Sequence, residues 1–170
     1  MEHNPPPRHR RSIRLPGYNY AQAGIYFVTI CTLGRECLFG AIEEAGAEDA
    51  DLLLSEFGEV AWKCWQEIPS HFPRVELDSF VVMPNHVHGI LIFDEKEITL
   101  AESQPDLTLE TFGRPVPESL PTVIRSYKSA TTQRINSYRE TPGQKVWQRN
   151  YYEQIIRNDE VDAHSAIYCQ

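Results

Sequence analysis

The chain has 170 residues, enough for one domain with a true core and little room for a second. Hydrophobic residues make up 41% and charged residues 24%, which excludes a disordered tail or a fibrous repeat. The net charge of −8 excludes a uniformly basic nucleic-acid coat, but the charge is unevenly placed. Residues 1–39 carry five basic and two acidic side chains, and residues 119–157 carry seven and two. The acid gathers in 40–60, with seven acidic and no basic residues, and in 94–118, with seven against two. Fields of exposed charge are screened over about 10 Å at moderate salt, so two basic regions on an acidic chain still suit a phosphate-bearing partner.

From the N-terminus, "MEHNPPPRHRRSIRLPG" is basic and proline-rich, with no apolar stretch for a secretory signal, and reads as an extended arm over 1–17. "GIYFVTICTLG" is β-branched and aromatic with a closing glycine, the pattern of a strand. Leu53, Leu54, Phe57, Val60, Ala61, Cys64 and Trp65 recur at three- and four-residue spacing. They predict a helix from about Asp51 to Ile68, stopped by Pro69. "RVELDSFVVM" is a second strand, Pro84-Asn85 a turn, and "HVHGILIF" a third strand, together a hairpin. Residues 94–118 lack a period, are broken by prolines, and read as a variable insertion. "PTVIRSYKSATTQRINSY" opens with Pro121 at a first helical position and continues as an amphipathic helix. "KVWQRNYYEQIIR" (145–157) is a fourth strand, and 158–170, with cap-forming Asn158 or Asp159, a final helix.

That order predicts a single α+β domain. A split βαβ, ferredoxin-like sandwich has one antiparallel sheet with helices on one face. No apolar run approaches the roughly 20 residues of a membrane span, so a cytoplasmic protein with no membrane partner is expected. Cys31, Cys37, Cys64 and Cys169 form no CxxC pair, and all four are expected to be reduced and structural.

The unusual feature is "NHVHG". Side chains alternate across a strand, so His86 and His88 share a face while Val87 takes the other, and their Cβ atoms lie roughly 7 Å apart. Two imidazoles so placed can converge on one ion at about 2.1 Å from each nitrogen. From the residues alone, the pair is either such a site or two packed strand histidines.

"MPNHVH" followed by an apolar strand resembles the HUH motif (His, hydrophobic residue, His) of single-tyrosine transposases. "RRSIRLPGYNYAQAGIYFVTICTLGR", "SYKSATTQRIN" and "VWQRNYYEQIIRNDE" resemble, in order, further blocks of the REP-associated tyrosine transposases within that superfamily. The resemblance covers most of the chain outside the acidic stretches, and it also implies the ferredoxin-like fold. It implies metal-dependent cleavage and strand transfer of single-stranded DNA through a 5′-phosphotyrosine. His86 and His88 would hold a divalent ion, Mg²⁺ or Mn²⁺. The implied nucleophile is Tyr168, twelve residues after Ile156, with Tyr152 and Tyr127 the next candidates.

The implied partner is single-stranded or hairpin DNA of REP-like palindromes, bound by a monomer or homodimer. Arg8, Arg10, Arg11 and Arg14 form an arm that can follow a DNA backbone. Arg125, Lys128, Arg134, Arg149 and Arg157 are expected to bind phosphates near the active face. Tyr18, Tyr20 and Trp147 are either base-stacking or core aromatics. Members of the group continue past the tyrosine to an amide residue one helical turn on, whereas this sequence ends at Gln170. The alternative expectation is therefore a truncated, catalytically impaired member that binds repeat hairpins without cutting them.

Overall fold

Strand-forming residues recur where the sheet needs them, and the connections decide their order. The computed structural model describes residues 17–44, 50–95 and 116–156. The arm before Gly17, the middle of the 94–118 insertion and the final helix lie outside the described residues. The elements are β1 (Gly24–Cys31), a short turn of 3₁₀ helix (Leu33–Arg35), β2 (Gly40–Glu44), β3 (Ala50–Leu54), α1 (Glu56–Gln66) and α2 (Ile68–His71). They continue as β4 (Val75–Met83), β5 (His86–Phe93), α3 (Leu120–Tyr138) and β6 (Tyr152–Ile156).

Four strands form one sheet in the order β4-β5-β1-β6, with every neighbouring pair antiparallel. β1 and β4 are joined through α1 and split by β5; β5 and β6 are joined through α3 and split by β1. This is the expected split βαβ arrangement. The pairing of β2 with β3, Ile42 opposite Leu52, makes a separate two-stranded hairpin inserted between β1 and α1.

That hairpin corrects the helix expected from Asp51. Leu53 and Leu54 fall four and three residues before Phe57 and so mimic helical spacing, but they belong to β3 and are 51% and 39% exposed. The helix starts where Ser55 caps it: the Ser55 hydroxyl accepts from Gly58 N–H at 3.2 Å and donates to Leu38 O at 2.8 Å. Pro69 does not stop α1. It sits in the first turn of α2, where a missing N–H costs nothing. The strand expected over 145–157 is also shorter. Lys128 Nζ donates to the carbonyls of Gln148 (2.6 Å) and Arg149 (3.1 Å), and regular pairing begins only at Tyr152.

The main core lies between the sheet and the helices α1 and α3. Val28, Ile30, Val87 and Leu91 from the strands meet Ala61, Trp65, Val123, Ile124 and Tyr127. Trp65 stacks flat on Phe80 (4.4 Å, 8°) and edge-on to Tyr127 (5.2 Å, 88°). This close stack needs a glycine beneath it, because a Cβ at Gly89 would lie 2.3 Å from Trp65 Cζ2. Gly89→Ala is therefore expected to overpack the core and cost about 1–3 kcal/mol. A denaturant titration checks this as a lower midpoint at unchanged slope.

Candidate active site

Alternation along β5 gives the two faces different work. Val87, Leu91 and Phe93 join the core under the helices, so His86, His88, Ile90 and Ile92 point to the opposite face. β1 does the same: Tyr26, Val28 and Ile30 are core, while Phe27, Thr29 and Cys31 share the histidines' face. The register sets Cys31 beside His86, Thr29 beside His88 and Phe27 beside Ile90. On the other flank of β1, Tyr152 pairs with Thr29 and Gln154 with Phe27.

The rings are held from both ends. His86 Nδ1 lies 2.7 Å from Asn85 Oδ1, His88 Nδ1 lies 2.8 Å from Thr29 Oγ1, and the two Nε2 atoms face each other at 2.9 Å. Phe27 stacks on His88 (5.4 Å, 20°). Asn85 is itself fixed, because its carbonyl accepts from both the N–H (3.0 Å) and the hydroxyl (2.9 Å) of Thr32. An amide oxygen only accepts, so His86 carries its proton on Nδ1 and presents a lone pair at Nε2. Without an ion, the 2.9 Å contact then needs His88 Nε2–H to donate to His86, with the Thr29 hydroxyl donating to His88 Nδ1.

Burial lowers the pKa of both imidazoles. His88 is pushed down to about 4, with the neighbouring His86 charge adding to burial; His86 is lowered by burial and then by the Arg35 charge. Both rings are thus neutral at neutral pH, the state that ligates metals. The spacing also fits. Two nitrogens each about 2.1 Å from one ion, at a right angle, stand about 3.0 Å apart, and here they are 2.9 Å apart. Hydrogen bonds at the outer nitrogens hold the two rings in place, as they do for metal-ligating histidines. No group of three or more His, Cys, Asp or Glu gathers among the described residues, so further ligands would come from phosphate, water or other donors.

Among the tyrosines, Tyr127 is 2% exposed, donates to Ala61 O at 3.2 Å, and has its pKa raised by burial, so it cannot meet a substrate. Tyr152 is exposed on the histidine face, in one row with Thr29 and His88. Tyr168 lies outside the described residues, as do Arg8, Arg10, Arg11, Arg14 and Arg157.

The described cations do not form one patch. Arg125, Lys128 and Arg134 sit on α3, the far side of the sheet from the histidines. Arg134 is engaged in a two-pronged bond with Glu67 at 2.9 and 2.6 Å. Lys128 is bonded to two carbonyls, and burial pushes its pKa down to about 8. Arg149 is exposed on the segment where Gln148 N–H donates to Cys31 O at 2.9 Å, at the histidine end of β1. It also borders a groove of about 840 Å³ between α3 and residues 142–149. Tyr20 and Trp147 are buried in the core, which leaves Tyr18, packed edge-on against Tyr20, as the partly buried member of that trio.

Thr29 and Asn85 are site residues that sequence reasoning missed. Asn85 was legible only as a turn residue, although its place directly before His86 is a signal. Thr29 emerges only once the β1–β5 register is known.

A protein of Haemophilus influenzae strain Rd, described only as uncharacterized, is 38% identical over 156 residues, covering 89% of this chain and 81% of its own. The chain belongs to the same family as this protein. No family model matches the chain. The solved structure of a REP-associated tyrosine transposase bound to a REP hairpin superposes with a TM-score of 0.54 at 17% identity, covering 91% of this chain and 69% of that one. The two chains share this fold. A crystal structure of a candidate transposase from Deinococcus radiodurans aligns at TM-score 0.48 and 17% identity, over 91% of this chain and 95% of its own. No helix among the described residues is long and apolar enough to cross a membrane.

The tautomers are open to test. In metal-free protein at neutral pH, nitrogen-15 NMR should show His86 protonated at Nδ1 and His88 at Nε2. Thr29→Val should broaden or shift the His88 pattern far more than that of His86.

Proposed function

We propose that this chain is a metal-dependent tyrosine transposase. It cleaves single-stranded DNA beside a palindromic hairpin and transfers the strand through a 5′-phosphotyrosine. The observation that carries the reading is the pair of neutral imidazoles whose Nε2 atoms stand 2.9 Å apart on a REP-associated transposase fold. Hairpin DNA as the substrate is supported by the fold relative, which was solved with a REP hairpin.

His86 and His88 would hold Mg²⁺ or Mn²⁺, and Asn85 and Thr29 keep their rings aimed. Bound there, the ion supplies positive charge to the oxygens of the scissile phosphate. Tyr168 is the proposed nucleophile. Its phenolic oxygen bonds to phosphorus, the bond to the 3′-oxygen breaks, and that oxygen leaves with a proton as a 3′-hydroxyl. A second 3′-hydroxyl reverses the step at a new strand end, so joining requires no external energy source.

Chain geometry supports Tyr168. Ile156 ends β6 in the row of Ile25 and Ile92. His88 stands four residues back from Ile92 along β5, about 13 Å, and His86 six residues back, about 20 Å. Twelve residues separate Ile156 from Tyr168, enough chain at roughly 3.3 Å per residue to return over that distance.

The test uses a hairpin oligonucleotide with a single-stranded flank, labelled at its 3′ end, with manganese and a denaturing gel. Wild type should give a protein-linked band that disappears in Tyr168→Phe and in His86→Ala, while His86→Ala still binds the hairpin within a few-fold. An adduct that survives in Tyr168→Phe and vanishes in Tyr152→Phe would move the nucleophile to β6. Hairpin binding with no adduct in wild type would leave a binding module.

A further inference from the structure

Directly after β1 the chain makes a turn whose two central residues, Gly34 (φ 66°) and Arg35 (φ 58°), are both left-handed. Glu36 N–H closes it on Leu33 O at 3.3 Å, and Arg35 N–H bonds to Thr32 O at 3.1 Å. Such turns favour Asn, Asp or Gly at both centres, because a Cβ crowds the backbone there. Glycine meets the demand at 34; a long, exposed arginine stands at 35. Glu140, another left-handed residue, follows the last turn of α3, where helices commonly end that way. Arg35 has no helix to end beyond its own single 3₁₀ turn.

This turn is fastened to the histidine site. The buried Thr32 hydroxyl reaches Glu36 O (2.8 Å) and Asn85 O (2.9 Å), and Thr32 N–H bonds Asn85 O as well (3.0 Å). Leu33 N–H bonds Val146 O at 2.7 Å, pinning the other side. Thus Arg35 and His86 hang from one bonded unit, Thr32 and Asn85. Arg35 has no ion pair among the described residues. Backbone strain spent on an exposed arginine, in a turn bonded to the residue before His86, is accounted for once an anion binds there.

We propose that Arg35 is the guanidinium of this site, donating to a non-bridging oxygen of the scissile phosphodiester on the side away from His86 and His88. The inference rests on the phosphodiester reading above and adds a residue to it. Arg35 stays on that oxygen as negative charge builds during attack, and its planar fork suits two phosphate oxygens where a lysine would offer a point charge.

Arg35→Gly separates the chemistry from the fold, because glycine relieves the left-handed strain while removing the cation. Its thermal midpoint should equal or exceed wild type, and Mn²⁺ affinity, read by calorimetry without DNA, should be unchanged or tighter. Adduct formation should fall about 10²–10³-fold, with partial rescue by guanidinium ion in the buffer and by Arg35→Lys. Glu140→Gly makes the same backbone change and should leave the rate alone. Cleavage by Arg35→Gly at the wild-type rate, with His86→Ala inactive, overturns the role. Binding decides independently of cutting: in a Tyr168→Phe background with Mg²⁺, Arg35→Gly should bind a short single-stranded oligonucleotide at least tenfold more weakly. Equal binding overturns the role of Arg35 whether or not wild type cuts, whereas failure of wild type to cut counts against the cleavage reading alone.

Discussion

Trp65 lies over Gly89, and that contact sets which face of β5 each residue takes. Side chains alternate with a period of two, so a slip of one residue would send Val87 outward and both histidines under the helices. A flat indole at 2.3 Å from a would-be Cβ admits only glycine at this point of the strand. With Gly89 placed inward, His86 and His88 must point away from the core. The same parity passes through the β1–β5 register to Thr29 and on to Tyr152 in β6. The site's residues come from three strands, yet one packing contact orients them all.

The main sheet and the histidine face were readable in the sequence because both rest on strong, short-range patterns. Strand alternation and a Pro-Asn turn are local, and the helix–strand order leaves few topologies. The hairpin of β2 and β3 was hidden because Leu53 and Leu54 satisfy a helical period with Phe57 by coincidence. Only the Ser55 cap, which takes its second partner from Leu38, reveals the boundary. Thr29 was hidden for a different reason: its partner His88 lies 59 residues on, and no local pattern encodes a cross-strand neighbour. The disposition of the cations is likewise set by the fold: Arg134 counts as a free charge in the sequence but is bonded to Glu67 in the structure.

The electrostatics of the site follow from burial more than from charge count. Desolvation keeps both imidazoles neutral in a chain of net charge −8, where bulk attraction for protons would favour the reverse. Arg35 adds to that on one ring only. The acidic blocks at 40–60 and 94–118 therefore need not oppose anion binding on this face, since what matters is the field within a Debye length. Separating α3 from the histidines by the thickness of the sheet leaves that field to a few nearby groups.

The hydrogen-bond line from Thr29 through His88 and His86 to Asn85 has a further consequence for the proton inventory. In its metal-free sense, the proton between the rings belongs to His88 Nε2. To free that nitrogen, the proton need only reappear on His88 Nδ1 while the Thr29 hydroxyl turns from donor to acceptor. Loading an ion is then an internal rearrangement with no net release to solvent, unlike a site that must shed protons to bind. The rearrangement is confined to one proton of His88 and the rotating hydroxyl of Thr29.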